Sequence, residues 1–356
     1  MIIHTIDKSS IGDIHTMFNA SMLLVLNKAF PNAEIIFYAE AIHLEIVRTR
    51  IKENEKISFQ TISLVSTKEG GRAKRVFSMV KKLKEDRFFF KSIFKKAKTE
   101  DLIFLCSAAA MPFYIFRKLA TKFSVPVVAT LHGELEYVFY NNNHREKYIG
   151  KIYKKILLTK SNNFYYLLLN KIAKRELVNS QLLKENQIIE IEHPYIFHTY
   201  SQQDNYLLNK NLLAGNVGAL SIRKSAHLIY KLAELVYKEI NNGNIVIKSI
   251  GYMEEDAIPY RNSLVVDGYD LNKKNKYLER NVFEKKVSEL DYALFFYNEK
   301  QYIYRASGAM LDVIKFNKPI MALKHPYFDK VFDIAGNIGY LFDNLEDMSQ
   351  KLKNIL

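Results

Sequence analysis

The chain has 356 residues, 48% hydrophobic and 25% charged, a balance that suits ordinary globular domains and excludes a disordered or low-complexity protein. At this length two domains are expected, each large enough to bury its own core. The formal charge of +14 is uneven: residues 1–200 hold 31 Lys and Arg against 19 Asp and Glu, and the remainder 21 against 19, so the first half is expected to face an anionic partner.

Short apolar, β-branched runs alternate with longer amphipathic stretches, the pattern of parallel strands joined by helices, and the class reads as α/β. Strands are predicted near Ile2–Ile6, Glu34–Tyr38, Ile57–Leu64, Leu102–Cys106, Val127–Leu131, Tyr165–Leu168 and Ile188–Glu192, with helices at 16–29, 72–98 and 112–123. From His193 to Asn211 the periodicity lapses into a polar linker, dividing the chain into domains 1–203 and 204–356. A second series places strands near 212–217, 244–250, 263–267, 292–297, 319–323 and Tyr340, with helices at 224–240, 276–289 and 307–316. A last helix at 345–356 is placed so that it can pack back on the N-terminal domain. Two doubly wound, Rossmann-like domains facing each other across a cleft are the expected architecture, with the active site between the halves.

The candidate chemistry begins at Ser10–His15, SIGDIH, where the first strand turns into the first helix. Gly12 allows close approach of a substrate, and Asp13 or His15 has the chemistry of a base for an acceptor hydroxyl; equally, Asp13 suits a helix cap. The basic stretch Arg72–Lys98 has 11 Lys and Arg against two acids and carries Phe88, Phe89 and Phe90. Two readings fit it: a helix lying on an anionic bilayer, or one whose Val76, Met79, Val80 and Leu83 face the core. Cys106, the single cysteine, ends a buried strand and forms no internal disulfide, which fits a reducing cytoplasm. The sequence from Met1 to Asp13 lacks a signal-peptide pattern, and no apolar run approaches the roughly 20 residues of a membrane span. A cytoplasmic protein, peripheral to the inner face of a membrane, is therefore expected.

In the second half, Leu212–Ala226, LLAGNVGALSIRKSA, reads as strand, glycine turn and basic helix start, with Gly218, Arg223 and Lys224 placed to meet a diphosphate. Val265–Asp270, VVDGYD, ends another strand, and Tyr269 is a candidate to stack on a nucleobase with Asp270 beside it; Gly251 and Tyr252 form a similar strand-end pair. In Tyr302–Leu323, YIYRASGAMLDVIKFNKPIMAL, Ser307 and Gly308 precede a compact helix whose first amides suit a phosphate. Asp312, one turn on, is a candidate acceptor for ribose hydroxyls. A serine N-cap with a solvated aspartate is the alternative.

This last segment resembles the nucleotide-sugar motif of GT-B fold glycosyltransferases, particularly the family-four group, and LLAGNVGALSIRKSA resembles their first C-terminal-domain strand and turn. In that family two Glu flank seven residues before the helix runs into a strand introduced by Lys-Pro. The matching positions here are Tyr304, Asp312, Lys318 and Pro319. The family's Gly-Arg and later Lys match Gly218, Ala219 and Lys224, with Arg223 or Arg305 in a position to supply the missing arginine. The resemblance implies Lys224 on the diphosphate, Ser307 and Gly308 as amide donors, and Asp312 on the ribose. It also matches His132 in Thr130–Glu136, TLHGELE, to a histidine facing the donor, with Glu134 and Glu136 as alternative bases. The implied activity is transfer from a nucleotide-sugar donor to a glycan or lipid-linked acceptor in surface-polysaccharide biosynthesis, at an anionic membrane surface. No metal or other cofactor is required, since no zinc-ligand spacing or Asp-x-Asp motif occurs. A non-hydrolysing sugar-nucleotide epimerase shares the fold, and a basic nucleic-acid-binding protein is a third reading, although no recognition module for nucleic acid is present.

Overall fold

A computed structural model describes residues 1–51, 56–63, 71–197, 211–268, 278–298 and 302–356. The chain divides into two compact units, one of Met1–Ile196 with Tyr304–Ala306, the other of Phe197–Ile303 with Ser307–Leu356.

The first unit is built on a parallel sheet ordered β3-β2-β1-β4-β5-β6-β7. Its strands are β1 (Ile2–Asp7), β2 (Glu34–Ala39), β3 (Ile57–Thr61), β4 (Leu102–Ser107), β5 (Val127–Thr130), β6 (Phe164–Leu168) and β7 (Ile188–Glu190). Helices α1 (Thr16–Ala29), α2 (Ala41–Arg50), α3 (Arg72–Lys96), α4 (Ala110–Ala120), α5 (Glu136–Phe139), α6 (His144–Leu157) and α7 (Lys171–Asn179) connect them. Helices cover both faces of the central strands, so β2 and β4 are near-continuous apolar runs, while β1 buries His4, Thr5 and Asp7 among its isoleucines. Ile3, Ile35, Phe37, Phe104 and Cys106 join Phe18 and Leu23 of α1 in one buried cluster.

Helix α3 departs from one of its two sequence readings. Val76, Met79 and Val80 do not enter the core; all three are exposed, and Leu83 is half-buried. The core is instead met by Phe90, Ile93 and Phe94 further along, where Phe90 and Phe94 pack on Phe116 of α4. Periodicity alone misplaces the contact because α3, at 25 residues, is longer than the sheet face it covers, so its first turns run beyond the packed surface.

The second unit is a parallel sheet ordered β10-β9-β8-β11-β12-β13. It comprises β8 (Leu212–Val217), β9 (Ile245–Ile250), β10 (Val265–Asp267), β11 (Tyr292–Phe295), β12 (Ile320–Leu323) and β13 (Gly339–Phe342). Helices α8 (Leu228–Leu235), α9 (Tyr237–Asn241), α10 (Arg280–Ser288), α11 (Gly308–Lys315), α12 (Pro326–Ala335) and α13 (Leu345–Ile355) cover it. The single helix expected over 224–240 is a 3-10 turn at Ile222–Lys224 followed by α8 and α9, which meet at Val236. The terminal helix packs on its own unit: Leu345, Met348 and Leu352 are buried with Ile229, Leu232 and Met321. Among the described residues no helix is long and apolar enough to cross a membrane.

Leu352 has no accessible surface, so Leu352→Ala should destabilise the fold by about 2–5 kcal/mol in urea unfolding, whereas Lys353→Ala should change stability by less than about 0.5 kcal/mol.

Candidate functional site

In an open parallel sheet every strand ends at the same edge, and ligands collect where the strand order reverses. The reversals fall between β1 and β4 in the first unit and between β8 and β11 in the second. Gly218, Ser307 and Lys224 lie near one of these points, and the Ser10–His15 loop near the other.

At the second unit's reversal, Gly218 follows β8 with φ +95°, a conformation that disfavours any residue with a Cβ. A Cβ there would lie 3.1 Å from that of Ala309 and 3.6 Å from Lys224 Nζ, so the turn, the α11 N-terminus and the lysine converge. Lys224 Nζ sits 5.6 Å from the Tyr302 ring centroid. Arg223, in the same turn, keeps a buried Nε with no partner among the described residues.

Ser307 caps α11: its Oγ accepts from the Met310 amide at 3.2 Å and pairs with the Tyr297 hydroxyl at 2.7 Å. Its own amide donates to the Tyr327 hydroxyl at 3.1 Å. The Tyr297 phenol is pushed well above its ordinary range by burial and then by the neighbouring Tyr302 and Tyr327, so it is a neutral hydrogen-bonding group. Gly308, the first helical residue, is exposed and has open space where a Cβ would be. The Gly308 and Ala309 amides precede any intrahelical acceptor, so α11 offers its positive end at an accessible glycine. Asp312, one turn on, is buried and ion-paired with Arg280 of α10, and Arg280 Nε also bonds Glu284 at 2.7 Å. Tyr269 and Asp270 lie outside the described residues; the strand before them ends in Asp267, paired with Arg261 at 2.5 Å.

At the first unit's reversal, the loop after β1 hangs on Asp7. This fully buried carboxylate accepts from the Ser9 and Ser10 amides at 3.0 and 2.8 Å, from Ser10 Oγ at 2.7 Å and from Asn19 Nδ2 at 2.6 Å. Asn19 Nδ2 also donates to His43 Nε2 at 2.8 Å, and His43 Nδ1 donates to the Gly12 carbonyl at 2.9 Å. The carbonyl can only accept, which fixes the proton on Nδ1 and leaves Nε2 to receive the amide. Asp13 accepts from Thr16 Oγ1 at 2.5 Å and pairs with Arg50 at 2.6 Å. The N-cap position itself is His15, at φ 61°.

His132 follows β5, and its Nε2 lies 2.7 Å from the Cys106 carbonyl. The same logic places the proton on Nε2 and leaves Nδ1 as the basic nitrogen. Its ring stacks on His15 at 5.0 Å and meets the edge of Phe18 at 5.0 Å. The two glutamates nearby divide: Glu134 is half-buried in a 3-10 turn, whereas Glu136 is buried and ion-paired at 2.6 Å with Arg305. Arg305 packs with the first unit, alongside Tyr304, whose ring lies 4.9 Å from Phe139. Of the two arginines considered for the diphosphate, Arg223 is therefore the one within the second unit.

Sequence reading missed Asp7, Asn19, His43, Tyr297, Tyr327 and Arg280. Each is a lone polar or aromatic residue in an unremarked stretch, and only the folded sheet brings it to its partner.

No protein-family model and no curated protein sequence matches the chain. Solved structures do. HepE from Anabaena, in complex with UDP, superposes with a TM-score of 0.65 at 10% identity over 99% of this chain and 89% of that one. Sucrose-phosphate synthase from Thermosynechococcus elongatus gives 0.65 at 12% identity, again over 99% and 89%. A Listeria monocytogenes protein assigned as a UDP-N-acetylglucosamine 2-epimerase gives 0.58 at 10% identity, over 99% and 87%. The two doubly wound units of this chain are the GT-B fold.

His4 and His43 are both fully buried, and burial holds both imidazoles below their ordinary 6.5. The unfolded chain then takes up protons near pH 6.5 that the folded chain refuses, so stability is full above that value and falls as pH falls. Melting temperature should decline from about pH 7 to about pH 5; a flat profile would contradict two neutral buried imidazoles. Asn19→Ala should cost about 2 kcal/mol or more in chemical unfolding by removing one of the donors to Asp7 and the donor to His43 Nε2.

Proposed function

We propose that this chain is a glycosyltransferase that moves a sugar from a nucleoside diphosphate donor to a glycan or lipid-linked acceptor during surface-polysaccharide assembly at an anionic membrane. The observation carrying this reading is the convergence of Gly218, Lys224, Ser307 and Gly308 at one strand reversal of a GT-B unit. The UDP held by Anabaena HepE supports a uridine nucleotide as the first to test.

In this mechanism the second unit binds the donor. The Gly308 and Ala309 amides and the α11 dipole receive the diphosphate, and Lys224, with Arg223, neutralises the charge that grows as the sugar–phosphate bond breaks. Asp312, one turn along α11, is assigned to the ribose hydroxyls. No metal is assigned a step, because the lysine and the amides carry the leaving-group charge. The first unit binds the acceptor. His132 Nδ1 is the proton acceptor that its Cys106 contact leaves available, with Glu134 beside it and Asp13 holding the loop through Arg50 and Thr16.

Calorimetric titration with UDP should show binding that Lys224→Ala weakens by about tenfold, near 1.4 kcal/mol. Absence of binding by UDP and by other nucleoside diphosphates to the folded wild type would remove the reading. His132→Ala should leave UDP affinity within about twofold while lowering transfer by about a hundredfold. Conversion of a donor sugar to its epimer with no acceptor present would favour the epimerase reading.

A further inference from the structure

Helix α3 presents a face that the fold leaves unused. Its buried side holds Phe90, Ile93 and Phe94, together with Asp86, whose carboxylate is paired with Lys8 at 3.1 Å. On the opposite side, Phe77, Lys81, Lys84, Phe88, Lys91 and Lys95 follow at helical spacing along one stripe, and all six are exposed. Phe77 and Phe88 are 73% and 77% exposed, values that no packing inside this unit relieves. They stand three turns apart, about 16 Å along the axis, with lysines between and beyond them. Val76, Met79 and Val80, exposed over the first turns, lie off this stripe, on the side of the helix that further along carries Phe90, Ile93 and Phe94.

Two rings separated by lysines do not make the contiguous apolar patch that a protein partner buries. They do fit a bilayer interface, where aromatic rings enter the acyl boundary and lysine stems snorkel to phosphate. The only acid on the exposed part of the helix is Glu85, and the first 200 residues hold 31 basic residues against 19 acidic ones, so the complement is an anionic surface.

We infer that the outward stripe of α3 seats this chain on an anionic phospholipid surface, with Phe77 and Phe88 entering the interface. The helix begins after β3, at the sheet edge that also carries the Ser9–His15 loop and His132. Lys8, immediately before that loop, is clasped by α3 through Asp86 and lies 5.4 Å from the Phe89 ring centroid, while its Nζ donates to the Ser63 carbonyl at 3.0 Å. Docking α3 therefore fixes the acceptor-side loop at the membrane. Only the meaning of that placement rests on the transferase reading; the docking stands on the helix.

The test is flotation of the full chain with phosphatidylcholine vesicles, with and without phosphatidylglycerol. Wild type should float only with phosphatidylglycerol, and less so at high salt. Phe77→Ser/Phe88→Ser should partition at least about tenfold less, and Gln at Lys81, Lys84, Lys91 and Lys95 should abolish the phosphatidylglycerol dependence. Circular dichroism and UDP titration should be unchanged in both variants, which separates this inference from the donor site. Failure of wild type to float, or wild-type partitioning by the double Phe variant, would overturn the inference. So would RNA binding as tight as vesicle binding and indifferent to the two Phe substitutions. Flotation without UDP binding would uphold the docking and remove the transferase reading.

Discussion

Every strand pairing among the described residues is parallel, and the candidate site follows from that constraint. Parallel pairing needs a crossover after each strand, so every strand's carboxyl end, with the loop that follows, lies along one edge. Where the order reverses, the two neighbouring loops leave in opposite directions and open a crevice. In the first unit the register between β1 and β4 shifts at Ile6/Asp7, so Asp7 pairs with Ser107 and the loop begins from a displaced strand end. The buried Asp7 carboxylate then replaces the ladder as the organiser, taking over the amides that the strand no longer holds.

The second determinant is which charges the fold consumes. Glu136 is spent on Arg305, Asp86 on Lys8, and Glu284 on Arg280 and Lys315, all at partly or fully buried positions. Removing one partner of such a pair strands the other in a poorly solvated place, so these residues are fixed by the fold itself. Lys224 stands apart: among the described residues its ammonium has no carboxylate partner, and it rests near an aromatic ring beside a glycine turn. A cation held in place without a counter-ion, next to the positive end of α11, is an arrangement that favours an anion.

The strands were legible because burial on both faces makes them short, mostly apolar and β-branched segments; β1, β2 and β8 fall within a residue of their expected bounds. The first helix, at Thr16–Ala29, has the bounds its pattern suggests. Less visible were α2, α6, α7 and α12, which carry many charged or aromatic residues and whose starts are marked by Glu40, Asn143, Asn170 and His325 caps that resemble loop residues in a sequence. Helix α3 misled for the opposite reason, since a helical spacing of Val76, Met79 and Val80 describes a face without saying what covers it. At the site, Ser307 and Gly308 were legible as a cap and its open first residue. The hydroxyls of Tyr297 and Tyr327 that brace them come from another strand end and another helix, and no local pattern announces such partners.

Tyr304 bears on the reaction in a way that its spacing from Asp312 alone does not. The family pattern implies a carboxylate there; this chain has a phenol that is buried, packed near Phe139 and Tyr140, and pushed further above its ordinary range by burial and by the charges around it. A phenol so held keeps its proton and brings no negative charge to the position. Its neighbour Arg305 is neutralised by Glu136, and its guanidinium lies over Gly133, where a Cβ would force it to shift. The segment has thus exchanged an ionised group for packing and one internal ion pair. A phenol at residue 304 therefore supplies no negative charge with which to stabilise positive charge on a sugar.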